Sequence, residues 1–181
     1  MNIAAPADVL AFWFEAGPKK WFTKDATFDA QIREKFLPTY EAAAQGKLAG
    51  WEATAEGALA LVIVLDQFPR NMFRALPHAF AADALARATA DRAVARGFDT
   101  QLELPKRNFF YLPFMHSENM ADQERCVELC RQLGDANTLK FAKLHADIIR
   151  RFGRFPHRSA VLGRPITAEE RAFLDTGGFT G

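Results

Sequence analysis

The hydrophobic residues of this chain recur mainly at spacings of three and four positions. In one long segment, Phe28, Ile32 and Phe36 repeat at every fourth residue, which places the three side chains on one face of an α-helix. No segment shows the strict polar–hydrophobic alternation that is typical of a half-buried β-strand. The pattern therefore predicts an all-α protein.

Glycine and proline indicate where the helices end. Gly134 and Gly153 follow helical segments, and glycine is the residue that most often ends an α-helix. Pro38 and Pro69 lie where a helix should kink, divide or close, because proline lacks the backbone N–H. Seven or eight helices are predicted, packed as antiparallel pairs. Their bounds are Pro6–Glu15, Lys24–Gln45, Glu52–Phe68, Phe80–Arg96, Pro105–His116, Asn119–Leu133, Ala136–Phe152, and a last helix that begins with a capping box at Thr167.

The composition supports the helical prediction. The chain has 32 alanines against 12 valines and isoleucines together. Alanine is the best helix former, whereas β-branched residues prefer strands. A length of 181 residues suits one domain, so residues 1–181 are predicted to form a single all-helical domain. Ten aromatic side chains are predicted to anchor its core: Phe12, Trp13, Trp21, Phe22, Phe28, Phe36, Trp51, Phe109, Phe141 and Phe152.

Charge and hydropathy argue against several classes of protein. The net charge is only +1, which argues against a nucleic-acid partner. The longest apolar run, 58–65, has eight residues, whereas a membrane span needs about 20, and the first residues lack the features of a signal peptide. Cys126 and Cys130 lie four residues apart on one predicted helix, as packing residues of a protein in the reducing cytoplasm.

One candidate polar group follows the third predicted helix. Leu59 and Val62 form part of an apolar stripe, and Asp66 falls on the same face. A buried carboxylate needs a partner, and Arg70 and Asn71 come next in the chain. Two interpretations are open: a salt bridge that ties the loop to its own helix, or a cleft in which Arg70 binds an anion.

Two histidines form a second candidate group. His116 and His145 fall on apolar faces of their helices, and Glu118 and Asp147 lie two residues after them. Each histidine could be an ordinary core residue. Together with Asp66 they favour a shared polar pocket, and the sequences HSE and HAD could supply nitrogen and oxygen ligands to a divalent metal.

The segment RRFGRFPHRSAVLGR is the most unusual part of the chain. From Leu139 to Arg171 there are eight Lys and Arg against three Asp and Glu. Arg154, His157 and Arg158 are interleaved with aromatic residues, and arginine suits carboxylate or phosphate ligands. Structural latching is the alternative. At least one of the two arginines is predicted to point back at Asp66 or Glu118.

Several common catalytic and cofactor motifs are missing from the sequence. It contains no HExxH, no paired CxxC, no GxGxxG, no GxxxxGK[ST] and no GxSxG. Ser117 and Ser159 are the only serines with a suggestive setting. No metal or cofactor is therefore predicted.

Four stretches in order along the chain resemble one bacterial family. They are VLAFWF, LALVIVLDQFPRNMFR, PFMHSE, and HADIIRRFGRFPHRSAVLGR with TAEERAFL. They resemble the family catalogued as domain of unknown function 924, over 9–174. The resemblance implies a compact all-α fold related to tetratricopeptide-like helical arrays, and it implies no activity.

Three functional hypotheses follow. The leading one is a cytoplasmic binding domain whose single polar pocket takes an anionic small molecule or an acidic peptide group. The second is a hydrolase, assisted by a metal or not, in which His116, Glu118 and His145 are ligands or general acid and base. The third is a protein-interaction module that binds its partner through the helical surface. The candidate ligand-binding residues are Asp66, Arg70, Asn71, His116, Glu118, His145, Arg154, His157 and Arg158.

Overall fold

A computed structural model describes residues 2–179, and these residues form helices and turns without a strand. The predicted all-α class is confirmed. Ten α-helical segments are described: α1 (Pro6–Ala16), α2 (Pro18–Trp21), α3 (Ala26–Ala44), α4 (Ala55–Val62), α5 (Phe68–Met72), α6 (Asp83–Ala95), α7 (Leu112–Met115), α8 (Met120–Leu133), α9 (Ala136–Phe152) and α10 (Ala168–Asp175). Short 3-10 turns lie at Ala49–Ala53, Pro77–Phe80, Asp99–Gln101, Lys106–Phe110 and Pro156–Arg158. Within the described range, no helix is both long and apolar enough to cross a membrane.

The described residues fall into two compact units. Unit 1 comprises 2–74 and 78–113, and unit 2 comprises 75–77 and 114–179. Unit 1 holds α1 to α6, and unit 2 holds α8 to α10. The single-domain organisation and the tetratricopeptide-like arrangement stay predictions.

Helix α4 is the centre of unit 1. It packs against α1 and α6, and all of its residues except Glu56 are buried. A helix that is apolar on every side is buried within the protein, because it has no polar face to turn towards solvent. Trp13 of α1 is fully buried in the same unit, where its indole ring contacts Phe28, Phe68 and Phe109. This aromatic cluster and α4 together form the core of unit 1.

The sequence left open whether the third predicted helix closes or kinks at Pro69, and the helix does not close there. One π-helical turn, Ile63–Gln67, joins α4 to α5, and the N–H of Phe68 donates to the carbonyl of Ile63, five residues earlier. A proline ring clashes with the carbonyl four residues before it in regular α geometry. The wider π turn changes the spacing just ahead of Pro69, and helix continues to Met72. The other internal proline, Pro38, does not divide α3.

The fifth predicted helix is also different. The segment predicted as one helix, Pro105–His116, consists of the 3-10 turn Lys106–Phe110 followed by the four residues of α7. Its aromatic side chains Phe109 and Phe110 are nevertheless buried. The apolar pattern therefore predicted correctly that these side chains are buried, but it predicted one α-helix where the chain forms a 3-10 turn and a short α-helix.

Two of the ten predicted aromatic anchors are wrong. Phe22 is 67% exposed and Phe141 is 42% exposed, because they lie on the outer sides of their segments. Phe12, Trp51 and Phe152 are half-buried, and the other five are buried.

A close backbone approach in unit 1 requires glycine. A Cβ atom on Gly57 of α4 would overlap the carbonyl oxygen of Trp51, which cannot move without displacing its 3-10 turn. We expect Gly57→Ala to destabilise the protein by about 1–3 kcal/mol, as overpacking does. Gly50→Ala is the matched control, since a Cβ there meets nothing within 4 Å. Chemical denaturation of both variants measures the difference, and equal stabilities would contradict the close approach.

Unit 2 is built on a helical hairpin. Helices α8 and α9 pack together across the short connection at Gly134 and Asp135. Asp135 caps α9 by accepting a hydrogen bond from the N–H of Thr138. The observed bounds of α9, Ala136–Phe152, are those predicted. Cys126 and Cys130 are buried on α8 and are not joined by a disulfide, as expected of packing residues.

The end of α9 leads to the core of the same unit. Ile148, Ile149 and Phe155 form a buried cluster, against which Met120, Phe152, Phe173 and Phe179 pack. The predicted capping box of α10 is present: Thr167 accepts from the N–H of Glu170, and Glu170 accepts from the N–H of Thr167. This packing holds the 3-10 turn Pro156–Arg158 beside α9 and α10.

Candidate functional site

The nine candidate residues divide between the two units. Asp66, Arg70 and Asn71 belong to unit 1, and the remaining six belong to unit 2: His116, Glu118, His145, Arg154, His157 and Arg158. Each group forms its own set of contacts.

The unit 1 group is a network of charged side chains around Arg70. Asp66 is fully buried in the π turn, and its Oδ2 accepts a 2.5 Å hydrogen bond from Gln67 Nε2. The guanidinium of Arg70 donates to the main-chain carbonyl of Asp66 and lies 3.2 Å from its Oδ1. It also donates to both oxygens of Asp83, at 2.9 and 3.1 Å. Arg70 thus joins the π turn to the first residue of α6.

Asn71 belongs to a neighbouring network of the same unit. Its amide donates to Asp29 Oδ1 at 2.8 Å, and Arg74 donates to both oxygens of Asp29 at 2.7 and 2.8 Å. Asp29 lies in the first turn of α3. The pair of Arg70 with Asp66 lies within the segment, as the first of the two interpretations expects, whereas the contacts with Asp83 and Asp29 join the segment to other helices of unit 1.

His145 forms the buried part of the unit 2 group. The centre of its ring lies 6.5 Å from the centre of the His116 ring. The Nδ1 atom is 2.8 Å from the carbonyl oxygen of Phe141. A neutral ring then carries its proton on Nδ1 and its lone pair on Nε2. Burial lowers the pKa of His145 to about 4, and the charge of Arg158 contributes in the same direction, so the ring is neutral at pH 7.

His157 lies in the 3-10 turn of unit 2. Its ring centre is 5.7 Å from that of Phe155, and its Nδ1 is buried without a hydrogen-bond partner among the described residues. Burial and then the charge of Arg158 lower the pKa of His157 to about 3. Arg158 is itself buried, with its guanidinium 4.6 Å from the ring centre of Phe155. Two neutral histidines therefore lie in the field of a buried cation.

Glu118 has a structural role in the same unit. Its carboxylate accepts two hydrogen bonds from Arg164, at 2.7 and 3.0 Å, and one from the N–H of Phe155 at 2.8 Å. Burial alone would raise the pKa of Glu118, but these hydrogen bonds and the nearby charge of Arg158 lower it overall. The loop that carries His157 and Arg158 is thereby fixed to the segment that carries His116.

Arg154 pairs with a carboxylate other than Asp66 and Glu118, while the prediction required only one of Arg154 and Arg158 to face those residues. Its guanidinium donates to both oxygens of Glu170, at 2.5 and 2.8 Å, and to the carbonyl of Pro165. The Glu170 carboxylate, which belongs to the capping box, is buried, and a buried carboxylate needs a partner. Hydrogen bonds from Arg154 and from the N–H of Thr167 lower the pKa of Glu170 to about 2. The charge of Arg158 acts on Glu118, after that of Arg164.

The described residues do not bring together the metal ligands that the second hypothesis allowed. Among the described residues, no three His, Cys, Asp or Glu side chains are placed to hold a metal ion. Asp147, the acidic residue of HAD, is 70% exposed and pairs with Arg150. The hydroxyl of Ser117 donates to Asp122, a contact within one turn of chain.

The chain is similar to proteins of one bacterial family. Residues 9–178 match a family described as Bacterial protein of unknown function (DUF924). The chain belongs to the DUF924 family. The resemblance stated from the sequence motifs is confirmed.

A solved structure supports the DUF924 assignment. The structure of a protein of unknown function from Agrobacterium tumefaciens is similar to this chain, with 48% sequence identity and a TM-score of 0.92. The similarity covers 95% of this chain and 97% of that chain. A comparison with curated proteins gave no match.

Phe179 is a residue of this DUF924 chain that the sequence analysis missed. Its ring centre lies 4.6 Å from that of His145 and 5.5 Å from that of His157, in edge-to-face contact with each. It follows Gly177 and Gly178 beyond the last helix, where no hydrophobic period is present. The glycine pair after α10 was the available signal, because glycine commonly ends a helix in a left-handed cap that redirects the chain.

Two surface grooves lie apart from the candidate residues, in unit 1. One, of about 390 Å³, includes Asp8, Phe12 and Lys35. The other, of about 450 Å³, includes Phe14, Trp21 and Lys106. Neither is lined by any of the nine candidate residues.

Proposed function

We propose that unit 2 binds an anionic small molecule or an acidic peptide group at a cluster formed by His116, His145, His157 and Arg158. This group is called the histidine–arginine cluster below. The observation that carries the proposal is the buried Nδ1 of His157, which has no hydrogen-bond partner among the described residues and lies in the same 3-10 turn as Arg158.

The charge around the cluster favours an anion. The Glu118 carboxylate accepts from Arg164 and from the N–H of Phe155, and the Glu170 carboxylate accepts from Arg154 and from the N–H of Thr167. Each of these acidic groups therefore has an arginine as its partner, and the charge of Arg158 also acts on Glu118. Burial is the first cause of the lowered pKa of both histidines, and the positive field of Arg158 contributes in the same direction, whereas Glu118 opposes it at His157. An anion placed there is stabilised by that field.

The histidines add directional hydrogen bonding. With Nδ1 bound to the Phe141 carbonyl, His145 can take a proton at Nε2, and an anion nearby raises the pKa of that nitrogen. His157 has a buried Nδ1 without a partner among the described residues. A ligand oxygen would satisfy a polar atom that is costly to leave unpaired.

The same geometry gives less support to a hydrolase. A general base works best when its pKa is near the working pH, whereas burial lowers the pKa of His145 to about 4. The hydroxyl of Ser117 donates to Asp122, and Ser159 is fully buried. Binding is therefore the function that these residues support best.

The test is anion binding to the whole chain by calorimetry, with acetate and inorganic phosphate as probes. We expect Arg158→Met to weaken binding about tenfold or more, because a charge-assisted hydrogen bond contributes about 1.5–3 kcal/mol. Arg158→Lys, which keeps the charge but not the planar fork, should weaken it less. Arg151→Met is the control, since Arg151 belongs to the same unit but is exposed and pairs with Glu169. Binding that is equal in all four proteins, or absent from the parent chain, would contradict the proposal.

A further inference from the structure

The larger of the two surface grooves of unit 1 has mainly apolar walls. It has a volume of about 450 Å³ and is named the Trp21 groove here; Phe14, Pro18, Trp21 and 101–106 line it. This volume is typical of small-molecule sites, which bury a ligand largely among apolar and aromatic side chains. Leu104 in its wall is 49% exposed, so a ligand in the groove would cover apolar surface that otherwise faces water.

Aromatic rings hold the walls of the Trp21 groove in place. The ring of Trp21 meets that of Phe14 edge to face, with 5.6 Å between ring centres. Both rings also pack against Phe109, at 5.0 and 5.5 Å, and Phe109 is buried in the 3-10 turn that begins at Lys106. The indole N–H of Trp21 already donates to the carbonyl of Trp13. The tryptophan therefore offers a ligand its apolar ring, which suits an aromatic group in edge-to-face contact.

Two charged side chains of opposite sign belong to the same groove. Lys106 is half-buried, and its ammonium lies 5.7 Å from the ring centre of Phe14. Glu103, three residues earlier, is exposed. Within residues 2–179, neither Lys106 nor Glu103 forms an ion pair. A ligand that carries one carboxylate and one ammonium would complement both charges.

The smaller groove of unit 1 has a different balance of charge. It includes two acidic residues, Asp8 and Glu15, against one cation, Lys35. Asp8 accepts a hydrogen bond from the N–H of Ala5 at the start of α1. This groove therefore fits a ligand with balanced charges less well than the Trp21 groove does, and its lysine provides a matched control.

We propose that the Trp21 groove binds a free aromatic amino acid. The aromatic side chain of the ligand lies against Trp21 and Phe14, its carboxylate pairs with Lys106, and its ammonium pairs with Glu103. A free amino acid carries both charges beside its side chain, whereas a residue at either end of a peptide carries only one of them. This site belongs to unit 1 and does not depend on the anion site proposed for unit 2.

The experiment measures binding of phenylalanine to the full chain by calorimetry, beside three analogues that each lack one feature. Phenethylamine has no carboxylate, phenylacetate has no ammonium, and alanine has no aromatic ring. We expect each analogue to bind about tenfold more weakly than phenylalanine, because each leaves one feature of the groove without a partner. Alanine binding as tightly as phenylalanine would overturn the assignment of an aromatic ligand.

Two substitutions identify the residue that meets each end of the ligand. Lys106→Met should weaken phenylalanine binding about tenfold without weakening that of phenethylamine, which has no carboxylate to lose a partner. Glu103→Gln should likewise weaken phenylalanine binding without weakening that of phenylacetate. Lys35→Met is the control, since the ammonium of Lys35 lies 5.4 Å from the ring centre of Phe12 in the smaller groove. It should leave phenylalanine binding unchanged.

The outcomes separate this inference from the proposed function. Arg158→Met should leave phenylalanine binding unchanged, whereas the anion site of unit 2 requires it to weaken acetate and phosphate binding. Absence of phenylalanine binding, or binding that neither Lys106→Met nor Glu103→Gln weakens, would overturn this inference alone. An equal loss in Lys35→Met would also overturn it. Circular dichroism confirms that each variant is folded, and Glu103→Gln provides the test if Lys106→Met is not.

Discussion

Replacing Arg70 by alanine is expected to destabilise the protein by about 3–5 kcal/mol, the usual cost of removing one partner from a buried ion pair. The side chain of Asp66 is 1% exposed, and that of Asp83 is 21% exposed. Both carboxylates share the guanidinium of Arg70, which also donates to the main chain of the π turn. The variant therefore loses the cation that two acidic groups have in common, one of them in the protein interior.

Chemical denaturation at pH 7 measures this effect, with Arg74→Ala as the control. Arg74 belongs to the same short segment, but its side chain is 36% exposed, and it pairs with Asp29 at the surface. An exposed ion pair contributes about 0–1 kcal/mol, so the control should remain close to the parent chain. A loss of only about 0–1 kcal/mol in Arg70→Ala as well as in Arg74→Ala would show that Arg70 contributes no more than an exposed ion pair.

Lowering the pH from 7 to 5 is expected to reduce the free energy of unfolding by about 4 kcal/mol through His145 and His157, about 2 kcal/mol from each. The pKa of each falls from the ordinary 6.5 to about 4 and about 3, respectively, because burial disfavours the charged ring. Below pH 6.5 the unfolded chain takes up protons that the folded chain does not. The stabilisation from neutral rings is therefore present above pH 6.5 and is lost as the pH falls towards the folded values.

Between pH 7 and pH 5 the carboxylate of Glu170 does not contribute to the change in the free energy of unfolding. The pKa of Glu170 is lowered from 4.5 to about 2, so its stabilisation is complete above pH 4.5 and is lost only as the pH falls towards 2. Denaturation curves at pH 7, 6 and 5 should therefore report the histidines. His145→Gln should halve the dependence on pH, and Lys143→Gln, an exposed change on the same helix, should retain it. A parent chain equally stable at pH 7 and 5 would contradict the burial of these rings.

Helix ends that depend on local chemistry could be predicted from the sequence. The bounds of α9 and the capping box at Thr167 are examples, because a glycine stop and a Thr–Glu cap act within one turn of chain. The continuation of helix through Pro69 could not be predicted, because it depends on a change of hydrogen-bond spacing five residues earlier. The exposure of Phe141 likewise depends on which side of α9 meets α8, and helical periodicity alone does not specify this.

The candidate site was predicted less completely. Sequence reasoning marked both His145 and Arg158 by placing charged or polar groups within apolar segments. It joined them to Asp66 and Arg70, which belong to the other compact unit, because a helical period gives the face of a residue and not the helix that packs on it. The partner of Arg154 was missed for a related reason: the burial of Glu170 results from the packing of α10, which no local motif describes.

The π turn requires a fixed number of residues between α4 and α5, in addition to particular residue types. In an α-helix each residue turns the chain by about 100°, so adding or removing one residue within Ile63–Gln67 would rotate Arg70 and Asn71 by about that angle relative to Leu59. Their carboxylate partners on α6 and α3 would then be out of reach. A substitution between apolar residues at Ile63, Val64 or Leu65 would leave this geometry in place, whereas an insertion or deletion would need a compensating change elsewhere in the helix. The segment is thus constrained in its number of residues as well as in the identity of Asp66 and Gln67.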